Sequence, residues 1–344
     1  MIFLTIREIA KQAGVSPATV SLVLNNKPGV GAQRRQQIQT ILLENGYQIK
    51  ENKPLQAKRK QICIAKYRVS YQTDTFSTSL MDTIEMYANL AGYSVNLLNI
   101  DSNTYQQKLS TLDFSNVCGI IFFASDITES CLNDTMQLPI PAVYVDIFSS
   151  HKSINTINAD QRLVAYLAAK HLHNLGHRQI GYLRCFPTRG YLSQRFSYFK
   201  TSLLELGMQL MPSFVFDVNL YSDHLEKTLG AILEDVCTFP TAIFAESDII
   251  AASCIQVLNS LGYRIPEDIS IIGVDNTSIA SFTSPPLTAV DVNTQELGRM
   301  AFERLLQLIQ DPTRPVMHCY IEPFLKRRGS TGFVRQSYPE KPTV

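Results

Sequence analysis

The spacing of apolar positions changes character along this chain. Between Thr5 and Gly46 they recur every three to four residues, the period of short helices. Ile6, Ile9, Ala10 and Ala13 form one narrow face, Val20, Val23 and Leu24 a second, and Ile38, Ile41 and Leu42 a third. Thr5 and Glu8 have the spacing of a capping box, Gly14-Val15 makes a tight turn, and Ser16 before Pro17 opens the second helix. A loop over 26–31 follows, then a third helix from about Ala32 to Asn45, stopped by Gly46. From Ile62 the pattern becomes runs of strand length: ICIAKY, SVNLLNI, GIIFFAS, AVYVDI, QIGYLRC, FVFDV, TAIFAES and SIIGVDN. Helical stretches such as Asp160–Leu175 and Ser247–Leu261 alternate with them, which predicts parallel sheets covered on both faces. There are too many strands for one sheet. Two doubly wound lobes, with a ligand cleft beyond the strand C-termini, fit the series.

The first two helices read as a helix-turn-helix. On the second, Ala18, Ser21, Leu22 and Asn25 fall on the outward side, where small and hydroxyl side chains suit close approach to a DNA groove. Periodicity alone does not separate this from any short amphipathic helix pair joined by Gly. Charge adds to it. Residues 1–61 hold ten Lys and Arg against three Glu, a net +7, so with an overall +1 the remaining 283 residues sum to −6. A basic headpiece on an acidic body is expected when only the headpiece meets phosphates. The 344 residues and 45% hydrophobic content suit two or three globular domains. The seven cysteines are scattered without a CxxC pair, so neither a disulfide framework nor a zinc knuckle is expected. No secretory signal is visible, and the longest apolar stretch, Val117–Ala124, is too short to span a bilayer, so a cytoplasmic location is expected.

The stretch TIREIAKQAGVSPATVSLVLN resembles the headpiece of LacI/GalR-family transcriptional regulators, T-I-x-D-V-A-x-x-A-G-V-S-x-x-T-V-S-R-V-L-N. Glu8 and Ile9 are mild replacements, but Leu22 stands where the family usually has an Arg that reads a base edge. The resemblance implies DNA contacts from Thr5, Ser16, Pro17, Ala18, Thr19, Ser21, Leu22 and Asn25. It also implies a hinge helix in the 48–61 linker, whose Leu wedges into the minor groove; here Leu55 is the one Leu available. Pro54 suits the start of a short helix, and the same basic composition suits a disordered linker. Further family marks run through KHLHNLGHR from Lys170, IPEDIS from Ile265, SPPLT from Ser284 and RGST from Arg328. They imply a periplasmic-binding-protein-like core over 62–336, one lobe being 62–160 plus 291–321 and the other 161–290 plus 322–336. A headpiece of 1–47 precedes the linker, and a tail of 337–344 ends the chain.

For an effector between the lobes, strand ends should supply an aromatic face and groups in bidentate reach of hydroxyls or ring atoms. By resemblance these are Phe76 after the first strand, Ser125 after the third, Asp146 ending the fourth, and Arg195, Ser247 and Asp275 from the other lobe, with Arg189 as a second cation. Ser247 replaces a frequent Asn, and Ile147 an Arg that many members carry. By spacing alone, Arg195 is a helix-face charge and Asp275 an ordinary strand-end carboxylate, while Phe76 suits a core position about as well as a ligand contact. Enzymatic readings find little: there is no GxGxxG, P-loop or GxSxG. Ser197 and Lys200 match S-x-x-K by letters only, and Gly176 separates His173 from His177, against a metal pair. No cofactor is implied.

These features together predict a cytoplasmic repressor that binds an operator as a homodimer and responds to a small effector, a sugar first and a purine second. A solute-binding receptor is the alternative from another class, opposed by the basic headpiece. Because Gly332–Val344 contains two Pro and no Leu, it lacks the heptads of a tetramerising coiled coil, and a dimer is expected.

Overall fold

Three helices build the first unit: α1 (Ile6–Ala13), α2 (Pro17–Leu24) and α3 (Ala32–Glu44). The structure is a computed structural model that describes residues 4–25, 27, 29–47, 60–67, 75–125, 127–149, 151–186, 191–219, 224–236 and 238–335. Its two units are Met1–Arg59 and Lys60–Val344. The capping box forms: the Thr5 amide donates to Glu8 Oε2 at 2.7 Å, and the Glu8 amide donates to Thr5 Oγ1 at 3.4 Å. Gly14 ends α1 at φ +62°, a left-handed conformation that a side chain would strain. The Thr19 amide donates to Ser16 Oγ at 3.2 Å, with Pro17 at the first helical position. Ile9, Ala10, Ala13, Val20, Val23, Ile38 and Leu42 form the core, while Leu24 and Ile41, both expected inside, are half-buried at its rim. The Tyr47 hydroxyl donates to the Leu4 carbonyl at 3.0 Å, joining the end of α3 to the start of the unit.

The second unit carries two sheets of six strands each. In chain order it runs β1 (Gln61–Tyr67), α4 (Thr75–Leu90), β2 (Ser94–Ile100), α5 (Tyr105–Ser110), β3 (Val117–Phe123), α6 (Glu129–Thr135), β4 (Ala142–Val145), β5 (Asn155–Ala159), then α7 (Gln161–Asn174). The other sheet follows with β6 (Ile180–Cys185), α8 (Tyr191–Glu205), β7 (Val215–Val218), α9 (Leu225–Glu234), β8 (Ala242–Ala245), α10 (Asp248–Ser260), β9 (Ser270–Val274), α11 (Ile279–Phe282) and β10 (Thr288–Asp291). The chain then returns through α12 (Thr294–Gln310) to β11 (His318–Ile321) and ends on β12 (Phe324–Lys326). Sheet orders are β11-β5-β4-β3-β1-β2 and β12-β10-β9-β8-β6-β7. All described pairings are parallel except β10 with β12. The backbone therefore passes between sheets after β5, after β10 and after β11.

Each expected strand run contains a strand, and the expected helix limits fall on the caps. Asp160 and Leu175 flank α7, and Ser247 and Leu261 flank α10, with the Asp160 and Ser247 side chains accepting from the amides of Leu163 and Ile250. The remaining strands, β5, β10, β11 and β12, interleave polar with apolar residues, so no apolar run of strand length marks them. Packing of α12 on α4 needs Gly298, since a Cβ there would lie 2.8 Å from Thr83 Cβ. The S-x-x-K letters lie inside α8, where the Ser197 hydroxyl donates back to the Ser193 carbonyl. His177 uses both ring nitrogens, Nδ1 with Thr241 Oγ1 at 2.9 Å and Nε2 with the Gly332 carbonyl at 3.1 Å.

His171 meets the same C-terminal segment through Thr331 Oγ1 at 2.9 Å. Burial, reinforced by the charge of Arg327 and by His177, pushes its imidazole down to about 4 from an ordinary 6.5. The unfolded chain therefore protonates at a higher pH than the folded one, so this contribution to stability is complete above pH 6.5 and is lost as pH falls toward 4. The denaturant midpoint of the second unit should decline across that window, and His171→Asn should flatten the decline. Identical declines in both proteins would place the acid sensitivity elsewhere.

Candidate functional site

The two sheets repeat one arrangement at their C-terminal edge. Asp146 directly follows β4, and Asp275 directly follows β9, the corresponding strand of the other sheet. Both are left-handed, at φ 59° and 99°, and each donates its amide to the fifth strand of its sheet: Asp146 to the Ile157 carbonyl at 3.2 Å, Asp275 to the Val290 carbonyl at 3.0 Å. A non-glycine residue with positive φ is held by its surroundings, which turns the chain so that strand ends carry these carboxylates. Ser125 follows β3 and is half-buried; Ser247 follows β8, caps α10 and is half-buried. Phe76 lies in the first turn of α4 and packs on the main core. Arg189 and Leu55 lie outside the described residues.

Arg195 is the largest departure from spacing. It is a buried cation, 2% exposed, and not a solvated helix-face charge. Its Nε donates to Gln161 Oε1 at 2.9 Å and its Nη1 to the Glu246 carbonyl at 2.5 Å. Glu246 is itself buried: Tyr182 Oη donates to its Oε1 at 2.7 Å and the Cys185 amide to its Oε2 at 2.6 Å. Burial pushes the Glu246 carboxyl up to about 7, against the pull of those two donors and of Arg195 and Arg184. Asp248, also buried, accepts from the Thr277 amide at 2.6 Å, and burial together with the charge of Asp275 raises its carboxyl. Sequence reading passed over Gln161, Glu246 and Asp248. Gln161 follows a strand too polar to stand out, but Glu246 and Asp248 flank Ser247, and a carboxylate closing the apolar run AIFA was a usable signal.

A cavity of about 310 Å³ opens here. Its inner part is lined by Asp146, Asp160 and Gln161, with Gln194 and Tyr198 contributed by α8. Asn158 shapes the wall, its Oδ1 accepting from the Ile147 amide at 2.9 Å and its Nδ2 donating to the Ile147 carbonyl at 3.1 Å. Carboxylates, amides and a buried guanidinium behind Gln161 suit a neutral polyhydroxylated ligand that both donates and accepts.

In the first unit, Thr5, Ser16, Pro17, Ala18 and Ser21 are exposed, and Thr19, Leu22 and Asn25 are half-buried. Asn25 Nδ2 donates to the Ser21 carbonyl at 2.9 Å. The second helix thus presents a row of small side chains flanked by hydroxyls.

The family model for bacterial regulatory proteins of the lacI family matches residues 5–49, and that for a periplasmic binding protein-like domain matches 169–331. The HTH-type transcriptional repressor PurR of Vibrio vulnificus is 30% identical over 318 residues, 89% of this chain and 92% of that protein. The ribose operon repressor of Haemophilus influenzae is 29% identical over 95% of this chain and 98% of its own length. A LacI family transcriptional regulator from Enterococcus faecium, solved with bound ribose, superposes with a TM-score of 0.69 at 25% identity, covering 79% of this chain and all of that one. A lac repressor dimer bound to operator and the anti-inducer ONPF shares the fold, with a TM-score of 0.70 at 23% identity, over 96% of this chain and 99% of that one. A helix-turn-helix unit and a two-sheet binding-protein body define a DNA-binding transcriptional repressor with an effector-binding domain. The chain belongs to the LacI family of bacterial regulatory proteins.

Removing the Ser16 cap should cost the first unit about 1 kcal/mol, a typical N-cap loss. In a Ser16→Ala protein the first unit's melting transition should move down while that of the second stays in place. An unmoved first transition would show that α2 is held by core packing alone.

Proposed function

We propose that this repressor binds a pseudo-palindromic operator as a homodimer in the cytoplasm and that a sugar, held where the two sheets present their strand ends, sets its operator affinity. The observation carrying this reading is Arg195, buried and fixed by Gln161 and Glu246 behind a cavity lined by Asp146 and Asp160. In this reading the lobes are 62–160 plus 291–321 and 161–290 plus 322–336, and Phe76, Ser125, Ser247 and Asp275 are further effector contacts at the strand ends, outside the lining of the cavity, to which Asp146 alone of the five belongs. The protein binds without turnover. The relatives named PurR favour a purine as the second reading.

Two headpieces about one helical turn of DNA apart would each place α2 in the major groove, Ala18, Ser21 and Leu22 facing base edges. An effector shifts such a repressor only by binding its two states unequally, typically by about 1–3 kcal/mol, or roughly 5–150-fold in operator affinity. Operator fragments selected from random DNA, then titrated with sugars and purine bases, test the reading. Wild-type affinity should shift within that range for a sugar. In Asp146→Asn and Asp275→Asn the shift should vanish while basal operator affinity stays. A normal shift in both variants would place the effector elsewhere.

Operator affinity itself should fall steeply with salt, because each phosphate contact releases condensed counterions. Deletion of residues 1–61 should abolish it. Leu22→Arg should move base preference toward guanine at one position per half-site, worth about 1–3 kcal/mol. An unchanged selected sequence would remove Leu22 from the base-reading face.

A further inference from the structure

The cavity does not stop at the strand ends. It continues over one face of the β5–β11 edge, where the parallel register sets His318 beside Thr156 and Tyr320 beside Asn158. The alternate residues Ile157 and Ile321 face the opposite way, into the core. The lining face is bounded by the segment after β4, which Asn158 pins through both hydrogen bonds to the Ile147 backbone. That anchoring holds Phe148 at the cavity while 55% of its surface stays exposed. Tyr320 also lines it, at 65% exposed. Tyr198, half-buried on α8, is the third aromatic residue of the lining.

Large rings left in water beside a polar hollow mark a place where a ligand with an apolar face gains by covering them. Groups for that ligand's hydroxyls stand among the rings. His318 Nδ1 is engaged by Thr156 Oγ1 at 3.0 Å, which fixes the imidazole and leaves Nε2 for a ligand. Ser149 Oγ accepts from the His151 amide at 3.1 Å and keeps its own hydrogen to donate. Gln194 and Arg162 complete the polar lining. Aromatic faces interleaved with single donors and acceptors suit a pyranose ring, whose C–H face is apolar and whose rim is hydroxylated. The part at the strand ends, lined by Asp146, Asp160 and Gln161, holds one ring; the part along the β5–β11 face is a platform continuous with it.

We infer that the effector is an oligosaccharide of at least two rings, the second seated on an outer subsite made by Phe148, Tyr320 and His318. This rests on the sugar reading of the inner site and specifies its ligand class. The subsite's aromatic residues are exposed, so their truncation leaves the core packing intact.

Isothermal titration of the full chain with glucose and galactose, and with cellobiose, maltose and lactose, tests the inference. At least one disaccharide should bind tenfold or more tightly than either constituent monosaccharide. Tyr320→Ala and Phe148→Ala should each weaken that disaccharide by about three- to tenfold, as loss of a stacked ring does, and leave monosaccharide affinity within twofold. A monosaccharide that binds as tightly as every disaccharide containing it overturns the inference and leaves the sugar reading standing. Equal weakening of both ligand lengths by the two variants also overturns it, since the rings would then serve the inner site. If no sugar of either length binds while a purine base does, the sugar reading falls and the inference falls with it.

Discussion

A guanidinium keeps its charge at any pH a protein meets, so a chain that buries one must arrange acceptors around it. In this protein that obligation falls on Arg195. Its partners come from the first residue of α7, where the backbone has just left one sheet, and from the end of β8 in the other sheet. Glu246 offers its carbonyl to Arg195 while its side chain accepts from the Tyr182 hydroxyl and the Cys185 amide. Loss of one partner of a buried charge typically costs about 3–5 kcal/mol. The buried charge behind the cavity is therefore the one that locks a helix start, a helix interior and a strand end together.

The same network explains what the sequence concealed. Arg195 has the spacing of a surface charge on α8, and nothing in a period of 3.6 distinguishes a cation aimed at water from one aimed at a backbone carbonyl. Burial is decided by what lies opposite, here Gln161 and Glu246, 34 and 51 residues away. The architecture was more legible, because apolar runs such as SVNLLNI and caps such as Ser16, Asp160 and Ser247 are local signals that tertiary packing did not override. Where the local signal was weak the reading thinned out. Asn155-Thr156-Ile157-Asn158-Ala159 is mostly polar because Thr156 and Asn158 line a cavity, and so it carries no apolar run.

Asp146 and Asp275 show how a repeated fold yields a non-repeated site. Both sit at the same point of their sheets, with the same handedness and the same amide contact to the fifth strand. Their neighbours differ. Asp146 stands beside an open cavity, whereas Asp275 stands near a second carboxylate, Asp248, whose protonation it favours. One backbone device thus delivers two carboxylates into unlike electrostatic settings.

Neither sheet is encoded by an uninterrupted stretch of the gene. The first sheet is complete only when β11 is made, and the second only when β12 follows it, after all the intervening chain has been synthesised. A product that ends before β12 lacks its pairing with β10, and one that ends before β11 also lacks the pairing with β5, so each sheet is left one strand short. Assembly of either lobe thus waits on strands made after nearly all of the other, which ties the two lobes into one folding unit.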